Sequence, residues 1–126
     1  MKKSLIPLGD TEMEILHHVW NLDRATVAEV QEQILKDRKV AYTTVMTIMK
    51  NLSEKGLLDK EMHGNTYVYR PAQTAGEVKQ NLLRQFMDKV FKGSPAALMQ
   101  SLVEDEKLDP QEREEIERLI SQMKEE

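Results

Sequence analysis

Apolar side chains recur at intervals of three and four residues along the first third of the chain. After Asp10 and Thr11, this spacing predicts an amphipathic helix. Its apolar stripe is Met13, Leu16, Val19 and Trp20. Beyond the polar stretch 21–25, Thr26 and Glu29 have the spacing of a capping box and predict the start of a second helix. The inward residues of that helix are Val27, Val30 and Ile34.

A third helix and a β-hairpin follow the polar connector 36–39. The helix is predicted from about Tyr42 to Gly56, which ends it. Its stripe is Val45, Ile48, Met49 and Leu52. Segments 57–62 and 66–70 predict two strands, because the aromatic and β-branched run 67–69 favours sheet and Gly64-Asn65 suits a tight hairpin turn. Three helices followed by a hairpin is the order of a winged helix-turn-helix.

The chain beyond residue 72 predicts helices alone. Their starts are marked by Thr74 with Glu77, by Ser94-Pro95 and by Asp109 with Glu112. Their apolar stripes are Val78, Leu82, Phe86 and Val90, then Leu98, Met99, Leu102 and Val103, then Ile116, Leu119, Ile120 and Met123. The predicted fold is therefore mainly α with a small β-hairpin: an N-terminal winged helix-turn-helix at 1–72 and a C-terminal helical domain at 73–126.

Charge and composition narrow the classes of function. The net charge is -4, and all of it arises in residues 73–126, which hold eight basic and twelve acidic residues, whereas residues 1–72 hold ten of each. A neutral domain can bind DNA when its cations share one face. The chain contains no cysteine, which excludes thiolate metal sites and a cysteine nucleophile. No leader or membrane-spanning run is readable, so we expect a cytoplasmic protein that does not insert into a membrane.

The outward face of the third helix is the candidate functional surface. It carries Thr43, Met46, Thr47 and Lys50, spaced i, i+3, i+4 and i+7. Short hydroxyl side chains suit a helix that lies close to base edges in the major groove, and methyl groups suit thymine. A threonine-rich face can also be merely exposed to solvent. A polar turn before this helix and a hairpin after it are the order of a winged helix-turn-helix, and this order favours the DNA interpretation. Lys60, His63 and Asn65 fall near the hairpin, where phosphate or minor-groove contacts are made.

The apolar residues of the tail predict self-association. Three short helices do not easily close a core of their own. The residues expected at a dimer interface are Leu82, Phe86, Val90, Leu98, Leu102, Leu119 and Ile120. The alternative is that these helices fold back on the winged domain. A dimer predicts a palindromic site whose half-sites lie about 34–36 Å apart.

Enzyme interpretations find little support. His17-His18 lacks the spacing of a zinc protease, and His63 stands alone. The acidic runs 104–106 and 112–115 are typical of solvated helix starts, and no glycine-rich phosphate loop is present. We therefore expect no catalytic residues, no metal and no cofactor.

Several sequence segments resemble those of the penicillinase and methicillin-resistance repressor family. They are the segment 41–47, Leu52, the segment 55–57 and the segment 67–71. The first helix, with Glu12, Glu14 and Val19-Trp20, is similar as well, as are 91–93 and 98–108 in the tail. The resemblance implies a homodimeric repressor of palindromic operator DNA, with tail helices that dimerise. It also implies that Thr43, Thr44, Met46 and Thr47 contact the major groove.

The same resemblance has implications for induction. Well-studied members are inactivated when a membrane-bound sensor leads to cleavage of an Asn-Phe bond in the tail, and Ser101-Leu102 occupies that place here. The implied partner is the sensor protease or a protease downstream of it. This chain also has Asn51 and Asn65 where family members often carry arginine, so modest operator affinity is expected. The cysteine-rich site of a copper-responsive branch is missing.

Three hypotheses follow from the sequence, and the third is an activator or architectural DNA binder on the same scaffold. The first is repression by a dimer that occupies a promoter. The second is a winged-helix protein-interaction module without sequence-specific DNA binding, which the neutral front half and the missing arginines favour. Steep weakening of binding by salt would distinguish the first from the second.

Overall fold

The computed structural model describes residues 8–124, which form six helices and one hairpin. In chain order the elements are α1 (Asp10–Leu22), α2 (Val27–Leu35), α3 (Tyr42–Glu54), β1 (Leu58–His63), β2 (Thr66–Pro71), α4 (Ala75–Val90), α5 (Pro95–Val103) and α6 (Pro110–Lys124). By its backbone contacts the chain divides into two compact units, residues 1–83 and 84–126. The functional boundary expected after residue 72 stays a prediction.

The first unit is a winged helix-turn-helix, as the sequence predicts. Helices α1, α2 and α3 each contribute a stripe of buried side chains to one shared core. The fully buried members are Ile15, Leu16, Val19, Val30, Ile34, Val45, Met49 and Leu52. Burying a side chain of this size stabilises the fold by about 1.5–3 kcal/mol, before the entropy of ordering the chain is counted.

The two strands pair antiparallel, with Leu58 opposite Pro71 and His63 opposite Thr66. Gly64 and Asn65 form the loop between them, and Gly64 has φ +65 at the first loop position, where a type II′ hairpin turn requires glycine. Leu58 and Tyr69 anchor the base of the hairpin in the core.

The sequence predicts that the first strand begins at Leu57, but β1 begins at Leu58. The end of α3 explains the difference. The Gly56 N–H donates to the Ser53 carbonyl at 3.1 Å, and the Leu57 N–H donates to the Leu52 carbonyl at 2.9 Å. These two bonds are the Schellman motif, with Gly56 at φ +82. Leu57 therefore belongs to the helix cap, and Gly56 ends the helix as predicted.

Local capping fixes the starts of α2, α4, α5 and α6. Thr26 with Glu29, Thr74 with Glu77 and Asp109 with Glu112 each make both bonds of a capping box. Ser94 accepts from the Ala97 N–H at 3.0 Å, with Pro95 in the first helical turn. Within residues 8–124, no helix is long and apolar enough to cross a membrane.

Candidate nucleic-acid interface

The core stripe of α3 determines which of its side chains face solvent. Val45, Met49 and Leu52 are fully buried and hold the helix by one side. Each residue turns the helix by about 100°, so residues two positions from Val45 lie on the opposite side and residues one position away lie on its flanks. Thr43, Thr44, Met46, Thr47 and Lys50 are all exposed, Met46 to 42 %. The structure brings these five predicted contact residues together on one helix face.

Tyr42 extends this face and was missed in the sequence prediction. It is 47 % exposed and is the first residue of α3. It precedes Met46 by four positions, so the two share a helix face. The helical period that singled out Met46 was therefore the signal that could have found Tyr42.

The connector between α2 and α3 is held in place by polar contacts. The Gln31 side-chain amide donates to the Val40 carbonyl at 3.1 Å, and Arg38 pairs with Glu14 of α1. Lys39 remains exposed beside the start of α3. These bonds fix the entry into α3, so its outward face keeps a defined orientation relative to α1 and α2.

A second tether fixes the far end of α3. Lys55 donates to Glu12 with an Nζ to Oε2 distance of 2.6 Å, and the other Glu12 oxygen accepts from the Gly9 N–H at 2.9 Å. Burial acts to raise the pKa of the Glu12 carboxyl, but the bonds from Lys55 and Gly9 and the Lys55 charge outweigh it. The pKa of Glu12 therefore lies below its ordinary value of 4.5.

The hairpin, or wing (residues 58–71), presents two predicted contact residues. Lys60 is exposed on β1, with its Nζ 4.5 Å from the centre of the Tyr67 ring. This cation–π contact restricts the lysine while leaving its charge at the surface. Asn65 is exposed in the loop. His63, which the sequence places near the wing, lies 3.4 Å from a Glu61 oxygen.

The wing also carries acidic residues. Glu61 lies 3.7 Å from Arg70 on the neighbouring strand, in addition to its contact with His63. One carboxylate thus offsets both basic groups of that strand face. Lys50 on α3 and Lys60 on β1, by contrast, make no ion pair among the described residues.

Tyr69 anchors the wing to the helices. It is buried, and its backbone exchanges two hydrogen bonds of 2.8 Å with Ala25 in the loop between α1 and α2. Burial, followed by the charges of Tyr67 and Tyr42, raises the pKa of Tyr69 above 10.0. The Tyr69 phenol therefore stays neutral and serves as a structural anchor.

The tail residues predicted at a dimer interface lie near or at the surface. Leu82 and Leu98 are half-buried. The other five are exposed, and they are Phe86, Val90, Leu102, Leu119 and Ile120. Phe86 is 49 % exposed and Leu119 57 %. Exposed apolar side chains on successive helices are typical of a surface that a partner covers.

The bond proposed for cleavage lies near the end of α5. Ser101 and Leu102 are both exposed, one turn or less from Val103, where the helix ends. Helix ends fray readily, which is the condition a protease needs to reach the backbone.

Metal binding finds no support in the part of the chain that the structure describes. No three His, Asp or Glu residues there are arranged to hold an ion. The acidic runs 104–106 and 112–115 are exposed, and Glu112 caps the start of α6.

Comparisons with known proteins agree with this architecture. The sequence profile described as penicillinase repressor matches residues 8–122. The methicillin resistance regulatory protein MecI of Mammaliicoccus sciuri is 24 % identical over 121 residues, which are 96 % of this chain and 98 % of MecI. The penicillinase repressor of Bacillus licheniformis is 20 % identical over 122 residues, covering 97 % of this chain and 95 % of the relative.

A solved structure shows that the fold recurs elsewhere. The complex structure of hsRosR-S4 matches with a TM-score of 0.58 and 15 % identity, over 94 % of this chain and 91 % of the other. At that identity the match concerns the fold alone. The profile match, which spans nearly all of the described residues, is the finding that identifies the family.

Proposed function

The chain belongs to the penicillinase repressor family, a family of transcriptional repressors and not of enzymes, and from that premise we propose that it binds a palindromic operator as a homodimer. It acts in the cytoplasm and represses by occupying a promoter. The observation that carries this proposal is the exposed face of α3, held at both ends by bonds to α1 and α2.

The α3 face supplies the chemistry of base recognition. The hydroxyls of Thr43, Thr44 and Thr47 donate to or accept from base edges. Met46 packs against thymine methyl groups, since it is apolar and flexible enough to follow them. Lys50, one turn further along, meets phosphate or a guanine edge. Lys60 and Asn65 place the wing on the neighbouring backbone.

The number of cations limits the electrostatic part of binding. Lys50 and Lys60 give two phosphate contacts per protomer, or four per dimer. Each contact contributes a slope of about −0.9, so log affinity falls with log salt at a slope of about −4. A repressor with this slope binds more weakly than one with an arginine-rich interface, and it depends more on base contacts for its affinity.

The tail helices mediate dimerisation. Phe86 and Leu119 are each about half exposed, and a second copy of the chain would cover them. Two protomers related by a two-fold axis would then place two α3 helices in successive major grooves about 34–36 Å apart. This geometry is the reason to expect a palindrome.

Release from DNA follows from loss of the tail. We assign the cleavage to Ser101-Leu102, made by a membrane-bound sensor protease or a protease downstream of it. Cleavage there detaches α6 with Leu119 and Ile120 and so weakens the dimer. Mass spectrometry of the chain after induction tests the assignment: fragments that end at Ser101 support it, and an intact chain with derepressed operator DNA contradicts it.

The experiment that tests DNA binding is selection from a pool of random duplexes at two salt concentrations. A recovered palindrome whose affinity falls with salt supports the proposal. If no sequence is enriched, the α3 face contacts something other than DNA, as in the protein-interaction hypothesis.

The dimer is tested by Leu119→Glu, with Gln111→Glu as a matched control on the same helix. Both positions are exposed, and each change adds one negative charge to α6. Leu119→Glu should dissociate the dimer in sedimentation and weaken binding to the selected duplex by at least about tenfold. A wild-type chain that sediments as a monomer would contradict this part of the proposal.

A further inference from the structure

The first unit contains a cavity that the proposed DNA contacts do not use. It has a volume of about 440 Å³ and lies where the end of α1, the last residues of β2 and the start of α4 meet. Its lining residues are Trp20, Asp23, Arg24, Arg70, Pro71, Thr74 and Ala75. The volume is within the range of small-molecule sites, about 300–1,000 Å³.

Two arginines line this cavity. Ala25 and Tyr69 form an antiparallel bridge, so the next positions, Arg24 and Arg70, lie across from each other. Like charges on opposite residues of a strand pair repel each other, and Asp59, which lies opposite Arg70 on β1, offsets part of that repulsion. Among residues 8–124, Arg24 makes no ion pair, and Arg70 has only the contact with Glu61 at 3.7 Å. An anion between the two guanidinium groups would relieve the repulsion.

The indole ring of Trp20 forms part of the cavity wall. Its Nε1 atom is buried, so the indole offers the cavity its apolar ring and not its N–H group. Trp20 and Pro71 also give the cavity flat apolar walls. The ligand that fits therefore combines an anionic oxygen with a flat apolar body.

The walls of the cavity are already in place. The Asp23 N–H donates to the Val19 carbonyl at 2.8 Å, and Asp23 has φ +72, so a tight turn ends α1. The paired bonds between Ala25 and Tyr69 hold the backbone next to both arginines. Thr74 and Glu77 cap α4 by themselves, so the anion is not needed at that helix start.

We propose that this cavity binds a small monocarboxylate with a flat apolar body between Arg24 and Arg70. The lining carries two positive charges and the single negative charge of Asp23, so a monoanion matches it better than a dianion such as phosphate. The carboxylate receives hydrogen bonds from both guanidinium groups. The site lies between the end of α1 and the base of the wing, and none of the residues proposed to contact DNA lines it.

Trp20 provides the readout. It is the only tryptophan, so the full-length ¹⁵N-labelled chain gives one indole signal in a ¹H–¹⁵N spectrum. Phenylacetate, added at constant ionic strength, should shift that signal to saturation with a Kd of about 1 mM. Neutral phenylacetamide, which has the same shape, should bind at least about tenfold more weakly.

Variants locate the site. Arg24→Met and Arg70→Met should each weaken phenylacetate binding at least about tenfold, whereas Arg118→Met on α6 should leave it unchanged. The backbone amide signals of the same spectra show that each variant is folded. The proposal is overturned if phenylacetate gives no saturable shift, if phenylacetamide binds equally well, if both cavity variants bind like the wild type, or if equimolar phosphate displaces the probe.

Discussion

Replacing Glu12 with glutamine tests the tether that holds the end of α3. The two Glu12 oxygens have separate partners, since one accepts from the Gly9 N–H at 2.9 Å and the other from Lys55 Nζ at 2.6 Å. A glutamine side-chain oxygen can still accept from Gly9. Its NH₂ group then faces the Lys55 ammonium, and two donors cannot bond. The change therefore removes the Lys55 bond and keeps the helix cap.

The expected cost follows from the burial of the pair. A hydrogen bond that involves charged groups contributes about 1.5–3 kcal/mol, and exposure to water lowers that figure. The Glu12 and Lys55 side chains are 18 % and 23 % exposed. We therefore expect Glu12→Gln to lower the free energy of unfolding by about 1–2 kcal/mol.

Urea unfolding followed by Trp20 fluorescence measures this cost, because Trp20 packs against the core of the first unit. Glu32→Gln, an exposed position on α2, is the control and should change the free energy of unfolding by less than about 0.5 kcal/mol. All chains are compared at one protein concentration, because self-association would add to the apparent stability.

The contribution of the Glu12–Lys55 bond to the free energy of unfolding should depend on pH. The folded-state pKa of Glu12 lies below 4.5, so the bond stabilises the protein above the unfolded-state pKa. Its contribution is lost as the pH falls through the lower, folded-state pKa. The difference between wild type and Glu12→Gln should therefore be full at pH 7 and shrink below about pH 4.5. A difference that is absent at pH 7, or equal at pH 7 and pH 3, would show that the charged Glu12–Lys55 bond does not stabilise the fold.

Three further substitutions test the fold by the same urea assay. Met49→Ala removes a fully buried side chain beneath the α3 face and should cost about 2–5 kcal/mol; a loss below about 1 kcal/mol would mean that the site is not packed as described. Thr26→Ala removes the acceptor for the Glu29 N–H and should cost about 1 kcal/mol, and no loss would show that the capping box is dispensable. Gly64→Ala meets no atom within 4 Å but must adopt φ +65, so it should cost about 1 kcal/mol; a stabilised variant would contradict the turn geometry.

Sequence reasoning succeeded where the signal is local. The capping boxes at Thr26, Thr74 and Asp109 are patterns of four residues, and each determines a helix start by bonds within that segment. The stripe of Val45, Met49 and Leu52 determines the outward face of α3 for the same reason, because helix geometry relates its members directly.

The contacts that sequence reasoning missed join distant residues. Glu12 and Lys55 lie 43 positions apart, and Glu14 and Arg38 lie 24 apart. No local period relates such pairs, since only the packing of the helices brings them together. The bridge from Ala25 to Tyr69 is likewise invisible in the sequence, because one isolated pair has no alternating pattern around it. The same bridge creates the arginine-lined cavity.

Some of the predicted site residues could be placed from local spacing, whereas the surroundings of others depend on how the strands pair. Thr43, Met46 and Thr47 could be assigned to one surface from helical spacing alone. Whether Lys60 is free to meet phosphate could not be predicted, because its contact with the Tyr67 ring depends on strand register. The offset of Arg70 by Glu61 depends on that register as well.

The most direct test of the central claim is a fluorescence anisotropy titration of the selected duplex and a scrambled duplex with wild type and Thr47→Ala. Thr47 is exposed on α3, so its loss should leave the fold intact. If α3 contacts base edges, Thr47→Ala should weaken binding to the selected duplex by at least about tenfold, the effect of a lost base contact at two half-sites, and leave binding to the scrambled duplex unchanged. Equal affinity of the wild type for both duplexes would contradict the claim that the α3 face reads DNA sequence.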